Sequence, residues 1–199
     1  MTATITAEQV RQLREMTGAG MMECKKALSE TAGDLEKAID ALRNAGIAKA
    51  ATRADRAASQ GRIDTYIHDN RIGVLIEVNC ETDFVARTDD FKNLCKDLAM
   101  QAAAANAQYT RREEVPAERI AREKDIYSAQ LANEGKPAAM LEKILEGKLN
   151  KFYAEVCLME QMFIKDDKKS IDTLVKETSM KTGENIVVRR FVRFVLGAE

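Results

Sequence analysis

Apolar residues recur at helical spacing in the first quarter of the chain. Val10, Leu13 and Met16 recur at helical spacing, glycines at 18 and 20 break the pattern, and a second helical stretch starts at Met21. An apolar stripe at positions i, i+3, i+4 and i+7 then indicates a third helix, which Gly46 is predicted to end. The residues of this stripe are Leu35, Ala38, Ile39 and Leu42. We therefore predict a three-helix domain over residues 1–48.

The pattern changes after a short polar segment. Residues 49–60 carry small and charged side chains but few large apolar ones, which predicts a linker with helical tendency. From Gly61 onward, apolar and polar residues alternate, and a turn at residues 69–71 leads into the apolar run Gly73–Asn79. This arrangement is typical of a β-hairpin.

Helical patterns return after the hairpin, and a strand closes the chain. Thr88 can cap a helix with one apolar face that includes Phe91, and further helices follow, the last of which starts at Ser170. The closing strand covers residues 186–196 and has the apolar face of a half-buried strand. That face consists of Ile186, Val188, Val192, Phe194 and Leu196. The predicted fold class is α+β, in which a core over residues 61–199 packs helices on a three-stranded antiparallel sheet.

Charge and length narrow the possible function classes. The 199 residues carry 31 basic and 32 acidic side chains, a net charge of -1, whereas a dedicated nucleic-acid binder has a basic excess or a basic stripe. We therefore expect protein partners rather than nucleic acid. No apolar run approaches the ~18 residues that span a bilayer. The first residues show no secretory signal, so we expect a cytoplasmic protein without a membrane partner.

The residues that could carry catalysis or hold a metal are poorly placed for either. The single histidine, His68, stands beside Asp69, and neighbours in a strand point to opposite faces. The four cysteines are too scattered to form paired zinc ligands, and we predict reduced thiols. Gly18-Ala19-Gly20 has no third glycine and no preceding strand, so it is not a dinucleotide loop. We expect no enzyme activity, no metal and no cofactor.

The stretch Gly73–Arg87 carries the most information about function. Polar, turn-favouring residues follow the strand from Asn79, and Asp83 and Phe84 come at their end. An aromatic residue in this place either packs back into the core or is exposed for contact with another protein. Because most aromatic residues are buried, composition alone favours the core.

Two long strings resemble signatures of the bacterial translation elongation factor Ts family, EF-Ts. The first is Glu77–Arg87, Glu-Val-Asn-Cys-Glu-Thr-Asp-Phe-Val-Ala-Arg, and the second is Leu13–Leu28, which contains Thr-Gly-Ala-Gly-Met-Met. They occur in the family's order. Weaker similarity extends through Gly183–Ile186 and the closing strand. Met162 stands where the family often has proline, and since proline fixes the backbone, we predict a less fixed turn there.

The resemblance implies a non-enzymatic guanine nucleotide exchange factor for the GTP-binding protein EF-Tu. It implies that the three-helix domain is ubiquitin-associated-like and docks on the GTP-binding domain of EF-Tu. The residues expected at that contact are Leu13, Thr17, Gly18, Met21 and Met22. The resemblance also implies a second contact, which we call the tip and which consists of Thr82, Asp83, Phe84 and Val85.

The resemblance gives the residues of the tip different roles. Phe84 is expected to enter an apolar pocket on EF-Tu, while Asp83 holds the tip by hydrogen bonding. This insertion disorders the site that holds the magnesium ion and the nucleotide phosphates of EF-Tu. Loss of the ion removes the main charge that neutralises the phosphates, so GDP leaves faster.

The chain contains one such signature, whereas longer EF-Ts relatives carry the core module twice. The resemblance therefore implies the short form, which can present two modules only by pairing with a second copy. We predict a non-covalent homodimer through the strand Arg189–Leu196, because an apolar edge strand invites pairing. Two alternatives stay open: an adaptor that binds through the helical domain without exchange activity, and, as a more distant one, an enzyme.

Overall fold

The computed structural model describes residues 5–133 and 138–198. The helices are α1 Ala7–Thr17, α2 Met21–Glu30, α3 Leu35–Ala51, α4 Asp83–Ala86, α5 Asp89–Ala104, α6 Ala117–Asn133, α7 Ala138–Val156 and α8 Ile171–Thr182. The strands are β1 Gln60–His68, β2 Ile72–Cys80, β3 Met162–Phe163, β4 Asp166–Ser170 and β5 Val187–Val195. Within the described ranges, no helix is both long and apolar enough to cross a membrane.

The predicted α+β class is confirmed. Strands β1 and β2 form the hairpin, and β5 pairs with β2, so the three-stranded sheet has the order β1-β2-β5 with the closing strand at one edge. Strands β3 and β4 form a separate antiparallel pair. Helix α5 starts where Thr88 was predicted to cap it, since the Thr88 hydroxyl accepts from the Phe91 N–H at 3.3 Å.

The chain divides by contacts into two compact units. The first comprises Met1–Arg62, Val78–Leu94 and Thr173–Val187, and the second comprises Ile63–Glu77, Cys95–Asp172 and Val188–Glu199. The predicted domain boundaries, 1–48, 49–60 and 61–199, stay a prediction, because a division by contacts groups segments that pack together whether or not they fold alone. Residues 1–4, 134–137 and 199 of those predicted domains lie outside the described residues.

The first unit is built around the three N-terminal helices. Helices α1, α2 and α3 pack on one another around a small apolar core. The buried residues of this core are Val10, Leu13, Ala19, Cys24, Ala27, Leu28, Ala38 and Leu42. The predicted end of α3 at Gly46 is wrong, because the helix continues to Ala51 and therefore covers the start of the predicted linker.

Gly46 lies inside α3 for reasons of packing. A Cβ atom at this position would overlap Sδ of Met180 and lie 3.0 Å from Cγ of the same residue. Glycine therefore permits the close approach of α3 and α8, which a side chain would prevent. The sequence suggested a helix end because glycine is common there, but the same residue also serves close backbone contacts.

The second unit contains most of the sheet and a pair of long helices. Helices α6 and α7 pack on each other. Near the end of α7, a buried apolar cluster contains Val115, Phe152, Val156 and Cys157. Alternate side chains of β2 are buried, among them Val74 and Ile76. This alternation is that of a sheet with one covered face.

Candidate functional site

The tip begins two residues after the last residue of β2. The strand runs through Cys80, one residue beyond the Asn79 at which the polar sequence predicted its end. Thr82 then caps the single turn α4, since its hydroxyl accepts from the Val85 N–H at 3.4 Å. This cap turns the chain sharply and places Phe84 on the outer side of the turn, with 79% of its surface exposed.

The other two residues of the tip stabilise the turn from opposite sides. Asp83 accepts a hydrogen bond at 2.7 Å from the Arg87 guanidinium one turn later, in an ion pair whose side chains are largely solvated. Val85 is buried beneath the turn. Phe84 thus stands on a turn that is held by a solvated ion pair outside and by apolar packing inside.

Glu184 fixes the base of the tip, by which we mean Glu81 and Thr82. One carboxylate oxygen of Glu184 accepts from the backbone N–H groups of Glu81 and Thr82, each at 3.0 Å. The other oxygen accepts from the Thr82 hydroxyl at 2.6 Å. Hydrogen bonds to an ionised acceptor are the stronger class, and three of them converge on this one side chain.

The carboxylate of Glu81 in turn binds the backbone next to Glu184. Glu81 accepts from the backbone N–H of Asn185 at 2.7 Å. The Asn185 side-chain amide in turn donates to the carbonyl oxygens of Ala54 and Arg56, at 3.2 and 2.8 Å. The segment after α3, the base of the tip and the turn after α8 are therefore joined by hydrogen bonds within the first unit.

Cys80 lies buried under this base. Its thiol donates to the Thr82 carbonyl oxygen at 3.1 Å. Burial, followed by the negative charge of Glu184, raises the pKa of Cys80 to about 11. The thiol is therefore protonated at neutral pH and acts as a hydrogen-bond donor rather than as a nucleophile.

The predicted docking residues of the N-terminal helices differ in their exposure. Met21 and Met22 are exposed, Met22 by 76%, and Gly18 lies at the surface in a left-handed conformation that ends α1. Leu13 is fully buried and Thr17 nearly so, with its hydroxyl bonded to the Leu13 carbonyl oxygen. These two side chains support the surface from below and are not exposed for contact.

Sequence reasoning missed one exposed apolar residue beside this group. Met16, at the end of α1, is 57% exposed, whereas its helical spacing from Val10 and Leu13 had suggested a place on the apolar face. The signal was present, because methionine near an exposed turn is an adaptable contact residue. We name Met16, Met21 and Met22 the methionine surface.

Helix α8 connects the N-terminal helices to the segment that holds the tip. Glu177 accepts from Arg43 of α3 at 2.5 Å, and the Ser179 carbonyl oxygen accepts from Arg53 at 3.2 Å. Four residues beyond Glu177, the Lys181 side chain lies against Gly18. Both groups of predicted contact residues, the tip and the methionine surface, thus belong to the same compact unit.

The closing strand belongs mainly to the second unit and differs from the prediction of one buried face. Ile186 and Val188 are buried, but the apolar residues farther along the strand are exposed. Those residues are Val192, Phe194 and Leu196, of which Phe194 is 69% exposed. The apolar pattern was identified correctly, but in the second half of β5 helices do not cover that face.

The segment before Met162 is held by hydrogen bonds. The preceding residue, Gln161, is buried and donates to the carbonyl oxygens of Ala105 and Glu155 at 3.1 and 2.9 Å. Its amide oxygen accepts from Gln101 at 3.2 Å. A buried amide network therefore holds the segment before Met162, and the less fixed turn stays a prediction.

The described cysteine, histidine and acidic side chains are not arranged as a metal site. All four cysteines are buried, and none of them forms a disulfide. Among the residues that the structure describes, no group of three or more histidine, cysteine, aspartate or glutamate side chains could hold a metal ion. What the first unit presents is an exposed aromatic residue on a fixed turn, together with an exposed apolar surface. Such features are suited to binding another protein.

Comparison with known proteins gives one consistent result. A family model described as Elongation factor TS matches residues 2–198. The chain is 59% identical over 195 residues to elongation factor Ts of Geobacter sulfurreducens, covering 98% of this chain and 90% of the relative. It is 58% identical to elongation factor Ts of Heliobacterium modesticaldum, with 97% and 90% covered, and 57% identical to that of a Thermoanaerobacter species, with 97% and 95% covered.

Proposed function

This chain belongs to the elongation factor Ts family of translation factors, and on that premise we propose that it accelerates GDP release from EF-Tu in the cytoplasm by inserting its Asp83-Phe84 tip. The chain itself makes or breaks no covalent bond in this role. The nucleotide and its magnesium ion belong to EF-Tu. The partner is a protein, in keeping with the balanced charge of the chain.

The observation that carries this proposal is the exposure of Phe84 on a fixed backbone. A phenyl ring in water loses the favourable free energy of burial, so a monomer without a partner gains nothing from this arrangement. Its backbone is held by the Thr82 cap and by the hydrogen bonds of Glu184. A rigid, exposed aromatic residue loses little conformational entropy on binding and is the typical centre of a binding hot spot.

Phe84 exerts its effect by coupling two binding equilibria. The ring enters an apolar pocket of EF-Tu and displaces nearby backbone, which weakens the site of the magnesium ion. GDP is then bound less tightly because its phosphates lose their main counter-charge. The coupling is reciprocal, so bound GDP weakens the binding of this chain by the same free energy.

The N-terminal helices provide a second attachment to EF-Tu. Met21 and Met22 supply adaptable apolar contacts, and Gly18 leaves the turn between them and α1 free of a side chain. Attachment at this surface is independent of the nucleotide site. It holds the chain on EF-Tu while the tip enters and leaves, so binding energy from a remote surface supports the insertion.

A homodimer completes the proposal. Ile63, Leu75 and Val192 line a shallow hollow of about 250 Å³ on the sheet, and Ile67, Phe194 and Leu196 line another of about 280 Å³. An apolar patch of this kind on three neighbouring strands supports pairing with a second copy. The proposed dimer interface includes the predicted strand Arg189–Leu196, and the ion pair between Glu77 and Arg190 gives this interface a polar border.

The test is the release of a fluorescent GDP analogue from EF-Tu in rapid mixing. The native chain should accelerate release strongly, and Phe84→Ala should lose about 30-fold, which corresponds to a hot-spot loss of about 2 kcal/mol. The matched control is Ile126→Ala, which removes another exposed apolar side chain, on α6. This control should keep native activity, and both variants should keep the native urea midpoint.

Each other outcome has a distinct meaning. Acceleration by both the native chain and Phe84→Ala would keep exchange but assign it to contacts outside the tip. No acceleration by the native chain, with retained binding to EF-Tu, would leave the adaptor. Chelation of magnesium provides a further check. Removing the ion should reduce the difference between the GDP release rates measured with and without the native chain.

A further inference from the structure

We infer that Glu184 is a positioning residue of the tip, whose carboxylate holds Thr82 so that Phe84 is presented in a fixed orientation. The inference rests on the proposed function of the tip. It concerns a residue that lies about one hundred positions away in sequence from the segment it holds.

All three polar groups of Thr82 form hydrogen bonds. Its N–H and its hydroxyl both donate to Glu184, and its carbonyl oxygen accepts from the Cys80 thiol. The same hydroxyl oxygen accepts from the Val85 N–H. Glu184 therefore fixes the hydroxyl whose lone pair caps α4, and the orientation of that turn depends on it.

Glu184 is itself held at the end of α8. Gly183 ends α8 in a left-handed conformation with φ 76°, which reverses the chain and directs Glu184 toward the tip. The Ser179 hydroxyl donates to the Glu184 carbonyl oxygen at 2.5 Å. Glu184 thus projects from the end of a helix that also contacts α3 through Glu177. The carboxylate transmits the rigidity of α8 to a solvent-exposed turn.

The base of the tip and its outer part are held by interactions that differ in solvent exposure. Asp83 and Arg87 are largely solvated, and an exposed ion pair adds little stability. Glu184 is half-buried and makes charge-assisted hydrogen bonds to backbone groups, which are the stronger kind. Loss of its charge should therefore loosen the tip more than loss of the ion pair.

The experiment compares Glu184→Gln and Glu184→Asp with the native chain, and uses Glu118→Gln, an exposed glutamate of α6, as the charge-matched control. An amide can no longer accept at both oxygen positions, while aspartate keeps the charge on a shorter arm. GDP-analogue release is measured over a range of factor concentrations, and amide hydrogen exchange is followed by mass spectrometry.

We expect Glu184→Gln to lower the maximal release rate about tenfold, or about 1.4 kcal/mol of barrier. The half-saturating concentration should change by less than about twofold, because the methionine surface still docks. The amides of Glu81 and Thr82 should exchange about tenfold faster, and those of α2 should stay as in the native chain. Glu184→Asp should recover part of the rate, and Glu118→Gln should match the native chain.

Two results would overturn the inference. One is a native maximal rate with native exchange of the Glu81 and Thr82 amides in Glu184→Gln. The other is an equal acceleration of exchange throughout the first unit, which would make Glu184 a general contributor to stability. If the native chain failed to release GDP, the proposed function would fall, and the hydrogen-exchange comparison would still decide whether Glu184 fixes the tip.

Discussion

At the scale of single residues, the thiol of Cys80 shows how the tip is bound to the interior. Cys80 is fully buried, and its pKa of about 11 lies above the ordinary thiol value of about 8.5. The unfolded chain loses this proton at a lower pH than the folded chain does. Folding stability from this group is therefore complete below about pH 8.5 and is lost as the pH rises toward 11.

We predict that the free energy of unfolding falls between pH 8 and pH 10, and that Cys80→Ser reduces the fall by on the order of 1–2 kcal/mol. Serine can still donate to the Thr82 carbonyl oxygen but does not titrate in this range. The measurement is urea unfolding at both pH values. Cys157, whose pKa burial and the charge of Glu160 raise to about 11, contributes its own part of the fall. Equal falls in the native chain and in Cys80→Ser would refute the prediction.

Residues near each other in the sequence can have opposite surroundings, which limits what sequence alone reveals. Phe84 is exposed, while Phe91, seven residues later, is fully buried on the apolar face of α5. Helical spacing was sufficient to place Phe91 in the core. It was not sufficient for Phe84, for which burial statistics favoured the core and only the resemblance of Glu77–Arg87 to the family signature indicated exposure.

At the scale of elements, the contact between α3 and α8 depends on the absence of a side chain at Gly46. In most helix interiors, replacing glycine by alanine stabilises by roughly 0.5–1 kcal/mol. Here the added Cβ would overlap Sδ of Met180, and Cγ and Cβ of Met180 lie only 3.0 and 3.4 Å away. Rotation of the end of that side chain can move Sδ, but Cγ stays at a distance that is tighter than an ordinary contact, so the site remains crowded.

We predict that Gly46→Ala destabilises the native chain by about 1–3 kcal/mol, the range of overpacked cores. In a Met180→Ala background the same substitution should instead stabilise, because Sδ and Cγ are removed, the remaining Cβ lies at an ordinary contact distance of 3.4 Å, and helix propensity then decides. Urea unfolding of the four proteins of this cycle measures both effects. Stabilisation by Gly46→Ala in the native background would contradict the packing argument.

The same scale separates predictable from unpredictable structure. The three N-terminal helices, the hairpin and the Thr88 cap followed from local patterns, because periodicity and capping are properties of neighbouring residues. The bonds of Glu184 to the base of the tip join residues more than one hundred positions apart. No local pattern encodes them, so the string Gly183–Ile186 could be noticed but its role could not be derived.

At the scale of the whole molecule, the exposed apolar face of the sheet has no covering element among the described residues of one copy of the chain. The alternating apolar pattern of the closing strand was predicted, but not that its second half stays uncovered within a single chain. Val192, Phe194 and Leu196 project from β5 and from its end, and Ile63 and Ile67 project from β1. Large apolar side chains on neighbouring strands normally mark an interaction surface.

We predict that the native chain has the mass of two 22.2 kDa copies at micromolar concentration, and that Phe194→Asp has the mass of one. A carboxylate at this position would have to be buried without a partner, which costs far more than one apolar contact provides. Analytical ultracentrifugation distinguishes the two states. The matched control, Ile126→Asp, places the same charge at another exposed apolar site and should stay dimeric. A monomeric native chain would exclude the homodimer. If the native chain is dimeric, GDP release by the monomeric Phe194→Asp shows whether a single copy is sufficient for exchange.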